Sequence, residues 1–238
     1  MRKLIRPPIA GPLQEQLQRQ TRRIRSLRKH EERREAAEVN WGNAGKVRLS
    51  AVLNAMNGGL DRCMYCEYSV AGTIDHFCPR AKDPKQTFHW RNLFLACQDC
   101  QNAKGARFTR ELLNPAGRDY RAWDHLDFDP ISGCYEPLSS RAKASEKVFK
   151  WNRGDLPEFR WKAFQVFQAC IIAYGQAKDL GDEELAHKQA KVARLETNPG
   201  LFFWILHWCD QSGSFADLVH PDVVATVQRR PEIRRWLD

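Results

Sequence analysis

Two cysteine pairs, Cys63-Met-Tyr-Cys66 and Cys97-Gln-Asp-Cys100, constrain the fold of this 238-residue chain more than any other feature. A C-x2-C knuckle presents two thiolates to one tetrahedral ion, and two knuckles complete a closed four-cysteine zinc site. Thirty residues separate the knuckles, more than the commonest spacing, so an insertion must sit between them. The opening Met1-Arg-Lys-Leu-Ile-Arg-Pro-Pro lacks the apolar stretch of a secretory signal, which makes a cytoplasmic location the expectation. In such a setting cysteines serve as metal ligands or buried apolar residues more often than as disulfide partners. Cys78, Cys134, Cys170 and Cys209 form no C-x2-C pair, and Cys170 and Cys209 read as core residues in apolar helical stretches.

Charge is unevenly placed. Residues 1–60 carry 13 basic and 5 acidic side chains, a net of +8, against +9 for the whole chain. A basic surface suits a polyanion such as nucleic acid, because neutralised phosphates release condensed counterions. Taken alone, such a run reads first as a solvated helix face. The 42% apolar share excludes a wholly disordered chain. The longest apolar stretches, near Phe164–Tyr174 and Leu201–Cys209, fall well short of the roughly 20 residues of a membrane-spanning helix.

The expected architecture is α+β and mostly helical: a basic N-terminal helical segment (1–59), a cysteine-bearing core (60–117), a connector (118–144) and a C-terminal helical region (145–238). Residues 13–39 read as one long polar helix with a narrow stripe of Leu13, Leu17, Ile24 and Leu27. Lys46–Asn57 reads as a second helix, burying Val47, Leu49, Val52, Leu53 and Met56 and ended by Gly58-Gly59. Ser69–Asp75 and Asn92–Ala96 read as short strands, with helix resuming near Asp99. In the C-terminal region Pro157, Gly181-Asp182, Asn198-Pro199 and Pro221 mark helix starts. The first of these helices is expected to bury Trp161, Phe164, Val166, Phe167 and Ile171.

The insertion carries the chemistry. It contains Ile74-Asp75-His76-Phe77-Cys78-Pro79, then Arg91-Asn92-Leu93-Phe94-Leu95-Ala96, and the second knuckle continues as Gln101-Asn102-Ala103-Lys104-Gly105. Over about residues 60–108 this order resembles the HNH endonucleases in their zinc-stabilised ββα-metal form. That family has two knuckles around Asp-His-x-x-Pro, a central Asn, and a late polar residue followed by Lys.

The resemblance implies a structural zinc on Cys63, Cys66, Cys97 and Cys100, and a catalytic Mg2+ or Mn2+ held by Asp75 and Asn102. Phosphodiester hydrolysis needs a water stripped of its proton and relief for charge on the leaving oxygen. A neutral imidazole suits the first task and His76 is the candidate; all-oxygen ligands suit a hard divalent cation for the second. Asn92 matches the family's middle residue, implying an orienting role. Arg80, Lys82, Arg91, Lys104 and Arg107 are candidate nucleic-acid contacts, and His89 is a loop residue able to touch the same ligand. Many family members have His directly after the fourth cysteine, where this chain has Gln101. The substrate implied is DNA, with RNA also open. The alternative is a catalytically silent zinc module that binds nucleic acid or docks a partner.

Layout, length and the Pro-rich opening are also similar to the retron-associated and Septu-type HNH proteins of bacterial anti-phage defence. That narrower resemblance implies an ABC/SMC-like ATPase as partner, docked by helices outside the core.

Overall fold

The computed structural model describes residues 1–42, 46–196, 198–211 and 218–236. The chain is mostly helical, with two small two-stranded sheets, and it divides into two compact units. One is built from Lys3–His125 with Pro137–Lys150, the other from Leu126–Glu136 with Trp151–Asp238. Among the described residues no helix is long and apolar enough to cross a membrane.

The first unit begins with α1 (Gly11–Ser26), α2 (His30–Gly42) and α3 (Lys46–Met56). The single helix expected over residues 13–39 is therefore two. The chain turns extended at Leu27 (ψ 143°), and the Arg33 Nε donates across the break to the Leu27 carbonyl. Breaking there lets Leu17 and Ile24 of α1 be buried together with Ala37 and Trp41 of α2 in one unit, which a straight rod with a narrow stripe could not achieve. In α3 Leu49, Leu53 and Met56 form the buried face, whereas Val47, expected inside, is 84% exposed because it falls off that phase. Gly58 and Gly59 end α3 at positive φ, and the Asn57 Nδ2 donates to the Leu60 and Arg62 carbonyls, shaping the entry to the first knuckle.

Strands β1 (Thr73–His76) and β2 (Leu93–Ala96) pair antiparallel with Thr73 opposite Ala96 and His76 opposite Leu93. The first starts four residues later than expected; Val70 makes only an isolated bridge with Arg62. Helix α4 (Gln98–Lys104) follows directly, its first turn capped by the Cys97 Sγ accepting from the Cys100 N–H. Behind the hairpin, Tyr65, Phe77, Phe94 and Phe149 pack as an aromatic cluster with ring centroids 4.6–6.5 Å apart. Each such buried ring contributes roughly 1.5–3 kcal/mol. The Arg6 guanidinium covers this cluster, 4.3 Å from the Phe94 ring, and donates to the Trp90 and Leu93 carbonyls.

Within residues 118–144 the chain forms β3 (Leu126–Phe128), β4 (Tyr135–Pro137) and the first part of α5 (Ser140–Phe149). The second unit's helices are α6 (Leu156–Asp179), α7 (Glu183–Glu196), α8 (Pro199–Cys209) and α9 (Pro221–Arg229). Phe164, Phe167, Cys170 and Ile171 of α6 are buried at helical spacing, and the Phe128, Phe164 and Trp208 rings pack together with centroids 5.8–6.0 Å apart. Trp161 and Val166, expected in that core, are 41% and 39% exposed, because neither shares the stripe's phase. Gly133 sits at φ +73°, where an added Cβ would meet the Pro157 carbonyl oxygen at 1.9 Å, so only glycine closes this turn.

Candidate active site

The four knuckle cysteines converge. All four Sγ atoms lie within 4.8 Å of one another, all four residues are buried, and Cys66 and Cys97 approach to 3.8 Å. A tetrahedron with sulfurs about 2.3 Å from its centre has edges of about 3.8 Å, so the donor set fits a closed zinc site. Hydrogen bonds from Cys100, Cys63 and Cys66 hold the Cys97 thiol far below its ordinary value, whereas burial pushes Cys63 up. The knuckle is tied to the hairpin through the Met64 N–H, which donates to the Leu95 carbonyl at 2.9 Å.

At the end of β1, Asp75 and His76 line an open cleft of about 480 Å3 with Arg80, Gln101 and Lys104, and with Arg34 and Glu38 from α2. The His76 Nε2 lies 3.0 Å from the Thr87 carbonyl oxygen. A carbonyl can only accept, so Nε2 carries the proton and Nδ1 is left with its lone pair. Burial, then the positive charge of Arg80, pushes the imidazole down to about 3, which keeps the ring neutral at pH 7. Trp41, from a helix that no motif places near this site, packs edge-on against the imidazole with ring centroids 4.4 Å apart.

The Asp75 carboxylate is buried and accepts from the Tyr65 hydroxyl at 2.7 Å and from the Lys104 ammonium at 3.1 and 3.2 Å. Burial raises its pKa, and the Lys104 charge and the Tyr65 bond oppose that rise. Lys104, expected to meet phosphate at the surface, is 1% exposed and spends its remaining donor on the His76 carbonyl at 2.6 Å. Burial of the pair follows from Asp75: an isolated buried carboxylate is far costlier than one held by an ammonium and a hydroxyl.

Asn92 closes the loop between the strands. Its Oδ1 accepts from the Cys78 N–H at 2.7 Å, and its Nδ2 donates to the Cys78 and Gln86 carbonyls at 3.0 and 3.1 Å. Arg80 lines the cleft; Lys82 and Arg91 are exposed on neighbouring grooves. Arg107 is exposed, but its guanidinium donates to the Ala103, Lys104 and Lys147 carbonyls, an anchoring pattern at a helix end.

Asn102 is not brought to Asp75. Its side chain is exposed and accepts from the Gln98 Nε2 at 2.8 Å, away from the cleft. Gln101 lines the cleft instead, because residues 101 and 104 stand three apart on one face of α4 while residue 102 is turned by about 100°. The signal was present in the sequence: Gln101 occupies the position directly after the fourth cysteine. The oxygen donors that line this cleft and suit a hard divalent cation are the carboxylates of Asp75 and Glu38 and the amide of Gln101.

The chain bears two likenesses to known proteins. Over 78 residues the chain is 30% identical to the Septu protein PtuB of Bacillus thuringiensis, a match covering 30% of this chain and 30% of that protein. The HNH endonuclease family model matches residues 63–107, from the first knuckle cysteine through α4. A four-cysteine cluster, an antiparallel hairpin and a helix in this order identify that segment as an HNH-family domain.

Proposed function

We propose that this chain hydrolyses phosphodiester bonds of DNA at the Asp75–His76 cleft and acts as the nuclease of an anti-phage defence assembly. The observation that carries the reading is the His76 ring, fixed through Nε2 on the Thr87 carbonyl and lining one cleft with Asp75 and Gln101. In this reading the free Nδ1 accepts the proton of the attacking water. Asp75 and Gln101 hold Mg2+ or Mn2+, which when bound stabilises charge on the scissile phosphate and the leaving oxygen. Lys104 and Tyr65 fix the Asp75 carboxylate, Asn92 holds the loop that carries the Thr87 carbonyl, and Arg80 meets the phosphate from the cleft wall.

The Septu relative supports the defence role, and the resemblance of the sequence to Septu- and retron-type HNH proteins implies an ATPase partner of the ABC/SMC-like kind. Trp161, exposed on α6, is a candidate anchor for that partner.

Supercoiled plasmid tests the activity directly. The zinc-loaded chain, alone and with any ATPase that co-purifies, is expected to nick plasmid with Mg2+ or Mn2+. Gln101→Ala is expected to raise the metal concentration needed by at least the roughly 10–100-fold seen when a metal site loses a supporting partner. Asn102→Ala, at the exposed position, should stay within about twofold of the native rate. DNA binding with no cutting under any of these conditions favours the silent zinc module and removes the nuclease. A loss at Asn102→Ala with none at Gln101→Ala would return the amide ligand to Asn102.

A further inference from the structure

The basic start of the chain has a definite place in the first unit. Along α1, Gln14, Gln18, Thr21, Arg22 and Arg25 recur at helical spacing and form one wall of a groove of about 460 Å3. The facing wall is Phe88–Arg91, and no Asp or Glu lines the groove among the described residues. Arg22, Arg25 and Arg91 are exposed, and none of the three is paired with a carboxylate among the described residues. The positive field is felt by His89, whose pKa is lowered by burial and then by Arg25, Arg91 and Arg6. Trp90 stands in the same wall, its indole N–H bonded to the Pro7 carbonyl at 3.2 Å.

This groove does not end blindly. His89 and Arg91 also line a second groove of about 590 Å3, which holds Lys82, Phe108 and Arg110 with a single carboxylate, Asp83. It reaches Phe77 and Cys78, the two residues that follow His76 in the chain. A cationic surface thus runs from α1 onto the loop after β1, whose residues 77–83 are divided between this second groove and the His76 cleft.

We propose that the groove between α1 and Phe88–Arg91 is a polynucleotide-binding subsite that holds the phosphodiester backbone flanking the scissile bond. The class of ligand rests on the nuclease reading. An acidic segment of a protein partner would use the charge, but only a polynucleotide also accounts for a basic surface that continues onto the loop bordering the cleft. A strand with one phosphate in the cleft would lay its flanking phosphates on the arginines across this loop.

The test is binding of a labelled single-stranded DNA oligonucleotide to the full-length chain with no divalent cation added, so that binding is read apart from cutting. Arg22→Ala with Arg25→Ala is expected to weaken binding about tenfold and to reduce the salt slope by about 1.4, roughly 0.7 per lost phosphate contact. Arg19→Ala with Arg28→Ala removes the same charge from exposed positions outside the groove and should change affinity by less than about twofold. Where the chain cuts, the first pair should raise KM with kcat unchanged.

Equal weakening by both pairs would overturn the subsite in favour of a diffuse field. Competition by polyglutamate as effective as that by DNA would assign the groove to an acidic partner and also overturn it. Unchanged binding in the Arg22/Arg25 variant of a chain that cuts removes the subsite and leaves the nuclease. Binding that depends on these arginines in a chain that never cuts keeps the subsite and removes the nuclease.

Discussion

Replacing Cys97 with serine is expected to abolish zinc retention and to unfold residues 63–107. The hairpin it supports has only four residues in each strand, too few to stand without outside support. A structural zinc contributes on the order of 10–16 kcal/mol in small zinc modules, as much as or more than the roughly 5–15 kcal/mol that stabilises a typical domain. Cys97 sits where the loss is felt most: its Sγ belongs to the four-sulfur cluster and also caps α4, which carries Gln101 and Lys104. Zinc content with amide hydrogen exchange checks this. Protection over residues 63–107 should collapse, while α6 and α8, which have their own aromatic core, keep theirs. A serine variant with native zinc content and native protection would show that the clamp is dispensable.

Replacing His76 with alanine is expected to lower DNA cutting by roughly 10²–10⁴-fold, the usual contribution of a positioned general base. Alanine also removes a buried ring that touches Trp41, so some loss of stability accompanies it. His76→Gln separates the two effects, since it refills the space with a polar side chain that cannot take the proton. Both variants should retain zinc and cut at similarly low rates. Cutting at the native rate by a folded His76→Gln protein would show that the proton goes elsewhere.

The four-cysteine cluster was legible because tetrahedral coordination imposes a local spacing that can be read without the fold. Asp75 and His76 were legible because they stand side by side between the knuckles. That Gln101 and not Asn102 lines the cleft was not legible, because it requires the rotational phase of α4 against the hairpin. Lys104 was misplaced at the surface for a related reason. Lysines are seldom buried, and its burial depends on a carboxylate twenty-nine residues earlier in the chain. Trp41 gave no sign of its role, since its contact with His76 is tertiary and comes from outside the family segment. Residues 118–144 display the turn formers Pro130 and Gly133, but strands of three residues are too short to show an alternating pattern. The break after Ser26 has no glycine or proline to announce it; packing against Ala37 and Trp41 decides it.

The central claim concerns one ring: His76 is neutral, protonated on Nε2, and bare at Nδ1. Nitrogen-15 spectroscopy of the zinc-loaded protein labelled at histidine, with His76→Gln used for assignment, tests it directly. At neutral pH the account predicts one His76 nitrogen with a pyrrole-like shift, Nε2, and one with a pyridine-like shift, Nδ1. A His76 imidazolium, or the proton resident on Nδ1, would contradict it.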